Sequence, residues 1–376
     1  MTDDKQRPEW YEDEHGDKHA SYVNKGVEGG HDGLPGHDRP GRVEDGNANR
    51  ARLLSVDQYV KGVLDNDRTI LARAITLIES SSPKHMELAQ EVLKQLLPQT
   101  GNSIRIGITG VPGGGKSTFI EALGTYLTGR DHKVAVMAVD PSSSVSRGSI
   151  LGDKTRMEKL ARDPNAFIRP SPSGGTLGGV TRKTRETILL CEAAGYDTVL
   201  IETVGVGQSE ITVRSMVDFF LLLLITGAGD ELQGFKRGVI EIADALVVNK
   251  ADGDNKNRAE SLMHDYQQVL HYLMPATPGW QTPVKTCSSI TGDGIPAVWE
   301  SIEAFRRDTT RSGVFADRRK HQVRDWLHAM IDEQLRSRFR HHPGVNDVLP
   351  GVEKAVMEGE LPATTAARML LDKFGE

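Results

Sequence analysis

One stretch restricts the fold of this chain more than any other: "GITGVPGGGKST", Gly107 to Thr118. Gly110, four further residues, then Gly115, Lys116 and Ser117 reproduce the G-x-x-x-x-G-K-[ST] spacing of a phosphate-cradling loop. Glycines let backbone N–H groups converge on phosphate oxygens without interference from a Cβ. The flanks comply. "SIRIGIT" (103–109) reads as a buried strand. "STFIEALGTYLTG" (117–129) reads as a helix with Phe119, Ile120, Leu123 and Leu127 on one face. The helix N-terminus then points at the anion, where its dipole favours negative charge. The expected phosphate contacts are Gly110, Gly113, Gly114, Gly115, Lys116, Ser117 and Thr118. Lys116 reaches the terminal phosphates and Ser117 presents its hydroxyl to Mg²⁺.

Further strands follow in alternation with helices: "VAVMAVD" (134–140), "TVLIET" (198–203), "DFFLLLLIT" (218–226), "DALVVNK" (244–250) and "PVKTCSS" (283–289). They are short and mostly continuous in apolar character, as strands covered on both faces are. The expected fold is α/β, a doubly wound, mainly parallel sheet of the P-loop NTPase kind with N- and C-terminal helical extensions. Ligand chemistry belongs at the carboxyl ends of such strands. With 376 residues the chain has room for that domain and its additions. Residues 1–50 are polar and acidic and are expected to be a disordered tail. Its His15, His19, His31 and His37 lack tight ligand spacing. Residues 51–102 read as three helices, the last closed by Pro98, with "TGNS" (100–103) as a hinge. The nucleotide domain is expected over 103–300 and further helices over 301–376.

"VVNKADGD" places Asn249, Lys250 and Asp252 just after a strand. In this N-K-x-D pattern a carboxylate accepts from the ring N–H and exocyclic amine of guanine. Adenine has no such donor pair and would leave the Asp252 charge unpaired. The stem of Lys250 can lie along the base. Ser288 and Ser289, in "TCSSITGDG", can close over it. The reading is therefore GTP rather than ATP.

Acidic residues complete the pattern. Asp140 and Glu202 end two different strands, and Asp153 lies in "GSILGDKTRM". Strand-end carboxylates suit a Mg²⁺ site or its bound water; they also suit turn capping. After Glu202, "TVGVGQSE" offers glycines for a γ-phosphate. Gln208 there either orients water or opens a helix.

Composition narrows the class. A net charge of −6 does not suggest nucleic-acid or acidic-membrane binding. Two cysteines, Cys191 and Cys287, make no disulfide framework or CxxC site. The apolar run "FFLLLLI" is too short to span a bilayer, and the N-terminus is unlike a signal peptide, so a cytoplasmic protein is expected. In "HQVRDWLHAMIDEQLRSRF", Val323, Trp326, Leu327, Met330, Ile331 and Leu335 form one stripe. It fits packing on the chain's own domain or on a second subunit equally well.

Taken together, the phosphate loop, "VAVDPSSSVSRGSILGDKTRM", "SPSGGTLGGVTRKTRE", "IETVGVGQSE", "GDELQGFKRGVIEIAD", "VVNKADGD" and "TGDGI" resemble the GTPases associated with methylmalonyl-CoA mutase, the MeaB/ArgK type. The likeness covers most of residues 104–300. One departure is Gly114, where Val is expected in many relatives. The resemblance implies slow GTP hydrolysis to GDP with Mg²⁺ held by Ser117, Asp140, Asp153 and Glu202. It implies a chaperone of an adenosylcobalamin-dependent acyl-CoA mutase that gates cofactor loading and protects the mutase; the mutase's cobalamin adenosyltransferase is a candidate second partner. Nothing in the sequence points to cobalamin bound directly. The resemblance also implies a signalling loop, "GAGDELQGFKRG", with Lys236 facing the partner, and homodimers built through C-terminal helices. Lys116, Glu202, Gln208 and Lys236 are thus the residues expected to act in hydrolysis and its control. Three other readings are a nickel-insertion metallochaperone GTPase, which would need Cys or His ligands, a transport-linked kinase or ATPase, which would need ATP, and an interaction scaffold that binds nucleotide without turning it over.

Overall fold

The computed structural model describes residues 53–80, 82–139, 157–169, 177–203, 209–227 and 237–375. The strands are β1 (Ile104–Gly110), β2 (Val134–Val139), β3 (Ala166–Arg169), β4 (Thr198–Thr203), β5 (Phe219–Leu224), β6 (Ala245–Val248) and β7 (Val284–Thr286). They form one sheet in the order β3-β2-β4-β1-β5-β6-β7, and every pairing is parallel. Outward from β1 the sheet runs through β4 and β2 to β3 on one side and through β5 and β6 to β7 on the other, the chain filling the first side before it crosses β1 to β5. β1 therefore lies at the switch point, where doubly wound sheets bind ligands.

The unbroken apolar strands are buried on both faces, with alternate side chains entering different cores. Phe219, Leu221 and Leu223 join Ile104, Ile106 and Ile108 on one face. Phe220, Leu222 and Leu224 join Val199 and Ile201 on the other. The first face is covered by α4 (Lys116–Thr128) and α10 (Ile295–Ser312). α4 buries Phe119, Ile120, Leu123 and Leu127, the four positions that its periodicity singled out. The opposite core takes in the N-terminal helices α1 (Val56–Leu64), α2 (Arg68–Glu79) and α3 (Pro83–Leu96), together with α6 (Leu177–Ala193).

Local chemistry starts these helices. Ser55 and Gln58 form a reciprocal capping box at α1, Asp67 caps α2 through Thr69 N and Ile70 N, and Pro83 opens α3. The remaining helices are α5 (Glu158–Arg162), α7 (Ser209–Arg214), α8 (Arg237–Glu241), α9 (Lys256–His271), α11 (Val314–Arg340), α12 (Pro343–Met357) and α13 (Ala363–Gly375).

Several features differ from the sequence expectation. β3 is a short edge strand that was not anticipated, because four residues carry too little periodicity to read. The supposed hinge at 100–103 is pinned. Ser103 Oγ donates to Glu192 Oε1 at 2.6 Å, and Gly101 N donates to Glu192 Oε2 at 2.9 Å. Arg319 donates to Gly101 O and Ser103 O. Residue 300, taken as a boundary, lies inside α10, which is part of the core on the sheet. Cys287 sits one residue past β7 rather than within it. Residues 1–50 lie outside the described residues. No helix among the described residues is long and apolar enough to cross a membrane.

Candidate functional site

The carboxyl edge of the sheet gathers the residues singled out above. β1 ends at Gly110 and turns into the phosphate loop, which closes on α4. Gly115 is the residue before α4, with φ +83°. A Cβ there would stand 2.8 Å from Asn249 Nδ2, so backbone conformation and close approach both demand glycine. Gly113 also has positive φ, whereas Gly114 does not. A Cβ at Gly114 would come to 3.0 Å from Val111 O, a tight but ordinary-φ position.

Lys116 is buried, and its Nζ donates to Gly110 O at 3.0 Å and Val111 O at 3.3 Å. The ammonium thus folds over the loop's own carbonyls. Burial pulls its pKa below the usual lysine value, while the charges of Glu202 and Glu210 act in the opposite sense. Ser117 Oγ donates to Glu202 Oε1 at 2.9 Å, which brings a helix-start hydroxyl and a strand-end carboxylate together. These hard oxygen donors fit Mg²⁺. Asp140, Asp153, Gln208 and Lys236 lie outside the described residues.

The base-reading pattern lies beside the loop. Asn249, buried just past β6, donates from Nδ2 to Gly114 O at 3.0 Å. Its Oδ1 accepts from Ser289 N and Ser289 Oγ, at 3.2 Å and 2.7 Å. One amide therefore ties the phosphate loop to the segment after β7. Lys250 has φ +61°, and its Nζ donates to Gly113 O at 3.0 Å, so its stem runs toward the phosphate loop. Asn255, which sequence reasoning passed over, secures that strained residue by donating from Nδ2 to Lys250 O at 2.7 Å. Asp252 accepts from the Ser288 hydroxyl. The two serines thus hold Asn249 and Asp252 in place.

Three more residues missed in the sequence share this edge. Thr203 Oγ1, at the end of β4, donates to Thr109 Oγ1 at 2.8 Å. Thr109 Oγ1 in turn donates to Glu210 Oε1 at 3.4 Å, and Glu210 is buried. The available signal was a carboxylate opening the helix after "GVGQS" and a threonine at the end of each of two central strands. The two cysteines are buried, and burial raises both thiol pKa values, that of Cys287 to about 12. Among the described residues no group of three or more His, Cys, Asp or Glu residues is placed to hold a metal.

Residues 71–344 match the family described as methylmalonyl Co-A mutase-associated GTPase MeaB. A putative GTPase of Caulobacter vibrioides is 55% identical over 322 residues, covering 86% of this chain and 98% of that one. The methylmalonic aciduria type A homolog, mitochondrial, of Mus musculus is 45% identical, covering 85% of this chain and 79% of its own length. Among solved structures, a LAO/AO transport system kinase superposes with a TM-score of 0.69 at 38% identity, covering 86% of this chain and 98% of that one.

Proposed function

The chain belongs to the methylmalonyl Co-A mutase-associated GTPase MeaB family and is a P-loop GTPase, and from that premise we propose that it is a GTP-driven chaperone of an adenosylcobalamin-dependent acyl-CoA mutase. In this reading the hydrolytic cycle gates cofactor loading and protects or reactivates the mutase, with methylmalonyl-CoA mutase as the first candidate. The observation that carries the GTP site is the Asn249 bridge: one buried side chain joins the phosphate loop to the guanine-reading segment. A phosphate sensor and a base sensor are thereby held in one rigid edge.

Residue roles follow from this edge. Lys116 exchanges its loop carbonyls for the β- and γ-phosphates when nucleotide enters. Asp252 accepts from the guanine N–H groups while Ser288 holds it in place. Ser117 and Glu202, with Asp140 and Asp153, would hold Mg²⁺, which supplies charge compensation for the phosphates. Gln208 orients water, and Lys236 reports nucleotide state to the partner. A GTPase with no second chemical substrate acts as a switch: loss of the γ-phosphate changes which conformation a partner meets.

Homodimerisation is supported by α11. Val323, Leu327, Ile331 and Leu335 are 59%, 57%, 45% and 50% exposed and repeat every fourth residue along one row. Trp326 and Met330, from the same sequence stripe, are half-buried.

The decisive experiment measures GTP hydrolysis with and without purified mutase, for wild type and Lys236→Ala. Wild type should be accelerated by the mutase, and the variant should keep its intrinsic rate while losing the acceleration. If the mutase leaves the wild-type rate unchanged, the chaperone reading fails.

A further inference from the structure

The short helix α7 is gripped at both ends, and the two grips belong to different parts of the molecule. At its amino end, Glu210 accepts from Thr109, the penultimate residue of β1 before the phosphate loop. It packs closely on β1: a Cβ on Gly107 would stand 3.0 Å from Val213 Cγ1. At its carboxyl end, the carbonyl of Arg214 and those of Ser215 and Val217, just past the helix, are taken by side chains from elsewhere. Gln322 of α11 donates from Nε2 to Val217 O at 2.8 Å and reaches Arg214 O at 3.5 Å. Arg185 of α6 donates to Ser215 O at 2.7 Å and Ser215 Oγ at 2.9 Å, and also to Gln322 O at 3.4 Å. Its guanidinium lies 5.6 Å from the ring centroid of Trp326, on α11. A cation here also complements the negative end of the α7 dipole.

A third link runs below. Arg214, the last residue of α7, pairs with the fully buried Asp244 at 3.0 Å, and Arg318 of α11 pairs with the same carboxylate at 3.5 Å. Gln322 is the only buried residue on α11, and it is spent on the carboxyl end of α7. One part of the seat of α11 is therefore built at that end, and Arg319 supplies another through Asp218, Gly101 O and Ser103 O.

We infer that α7 is a strut that couples nucleotide occupancy to the seating of α11, with Arg185 and Gln322 as its positioning residues. A γ-phosphate brings negative charge to the edge where Glu210 is buried and draws Lys116 off its carbonyls. Glu210 and Arg214 lie on one helix of six residues, so a displacement of Glu210 is carried along a single hydrogen-bonded element. Its carboxyl end cannot move without breaking or carrying the hydrogen bonds of Gln322 and Arg185. Whatever surface α11 presents outward then becomes nucleotide-dependent. Neither Arg185 nor Gln322 bonds to any residue of the phosphate loop or of the N-K-x-D segment; both meet α7 at its carboxyl end and in the residues just after it.

The test is amide hydrogen exchange across residues 314–330 of the full chain, saturated with GDP or with a non-hydrolysable GTP analogue. Nucleotide affinity is measured in parallel. In wild type the exchange rates in α11 should differ by about threefold or more between the two states. Arg185→Met and Gln322→Met should each bring the difference below that level without altering affinity for either nucleotide. Arg185→Lys, which keeps a cation at the carboxyl end of α7, should retain it. If Arg185→Met misfolds, Gln322→Met decides alone. A wild-type difference below threefold overturns the inference, as does a full difference surviving in Gln322→Met. The inference rests on the nucleotide site described above. A chain that does not bind GTP fails that reading, whereas one that binds it and leaves α11 unmoved fails this one.

Discussion

At the level of single residues, Asn249, Lys250 and Asp252 were legible as a pattern, but their work is visible only in three dimensions. Asn249 is structural as much as recognitive, since its amide spans from Gly114 O to Ser289. Asp252 is the residue expected to discriminate the base. Asp252→Asn should weaken GTP binding and favour xanthine nucleotides, because the donor and acceptor pattern inverts. The check is a competition assay with GTP, XTP and ATP, and wild-type binding of ATP as tight as GTP would remove the base assignment. Lys116 is the second such residue. Lys116→Ala should lower hydrolysis on the order of 10²-fold or more, by deleting the cation on the terminal phosphates. Unchanged turnover in a folded variant would exclude the loop from the mechanism. The backbone at Gly114 is not left-handed, so a side chain there is limited only by the approach to Val111 O.

At the level of elements, α11 explains why its apolar stripe was ambiguous in sequence. A single stripe serves two purposes. Trp326 meets Arg185 of the domain, while the row from Val323 to Leu335 lies open. Periodicity reports which residues share a helix face but not what covers that face. The open row is expected to be a subunit interface. Leu327→Glu with Ile331→Glu should shift the chain from a two-chain to a one-chain species in sedimentation, with little change in the unfolding of the single chain, because both positions are exposed already. A wild-type chain that sediments as a monomer at high concentration would defeat this expectation. β3 is the opposite case. The edge strand Ala166–Arg169 exists because β2 offers it a ladder and Glu79 of α2 takes Arg169, with Nε to Oε1 at 3.1 Å. None of that is written in "AFIR".

Across the whole molecule, buried ion pairs tie the amino ends of the strands to the flanking helices, remote in sequence from one another. Arg105 at the start of β1 pairs with Glu192 of α6 at 2.8 Å, and Arg319 of α11 pairs with Asp218 just before β5. Burial alone would raise the Glu192 pKa. The hydrogen bond and charge of Arg105, the Ser103 hydroxyl and the charge of Arg319 outweigh it and hold the carboxyl below its ordinary 4.5. A carboxylate depressed in the folded state stabilises the fold above its unfolded pKa. That contribution is lost as pH falls through the folded value. Urea unfolding should therefore lose stability as pH drops below 4.5, and Glu192→Gln should lose less over the same interval. At neutral pH the variant should be less stable by about 3–5 kcal/mol, since it leaves Arg105 buried without its partner. Parallel pH curves for the two proteins would show that Glu192 is not the titrating group.

The phosphate-loop spacing, the N-K-x-D pattern, the parallel doubly wound sheet and the faces its strands and helices bury were all legible in the sequence. Each of these is a local pattern: a glycine where φ is positive, an apolar run where both faces are covered, a four-residue spacing where one helix face is covered. That Asn249 joins the phosphate loop to the segment after β7, that Glu210 accepts from Thr109 in β1, that 100–103 is pinned and not a hinge, and that α11 is anchored in part at the end of α7 follow only from the packed fold. Those contacts link residues from 40 to more than 200 positions apart, such as Asn249 with Ser289 and Arg319 with Gly101. A side chain's partner across such a distance is chosen by how the sheet and helices pack, which no local pattern in a single sequence records.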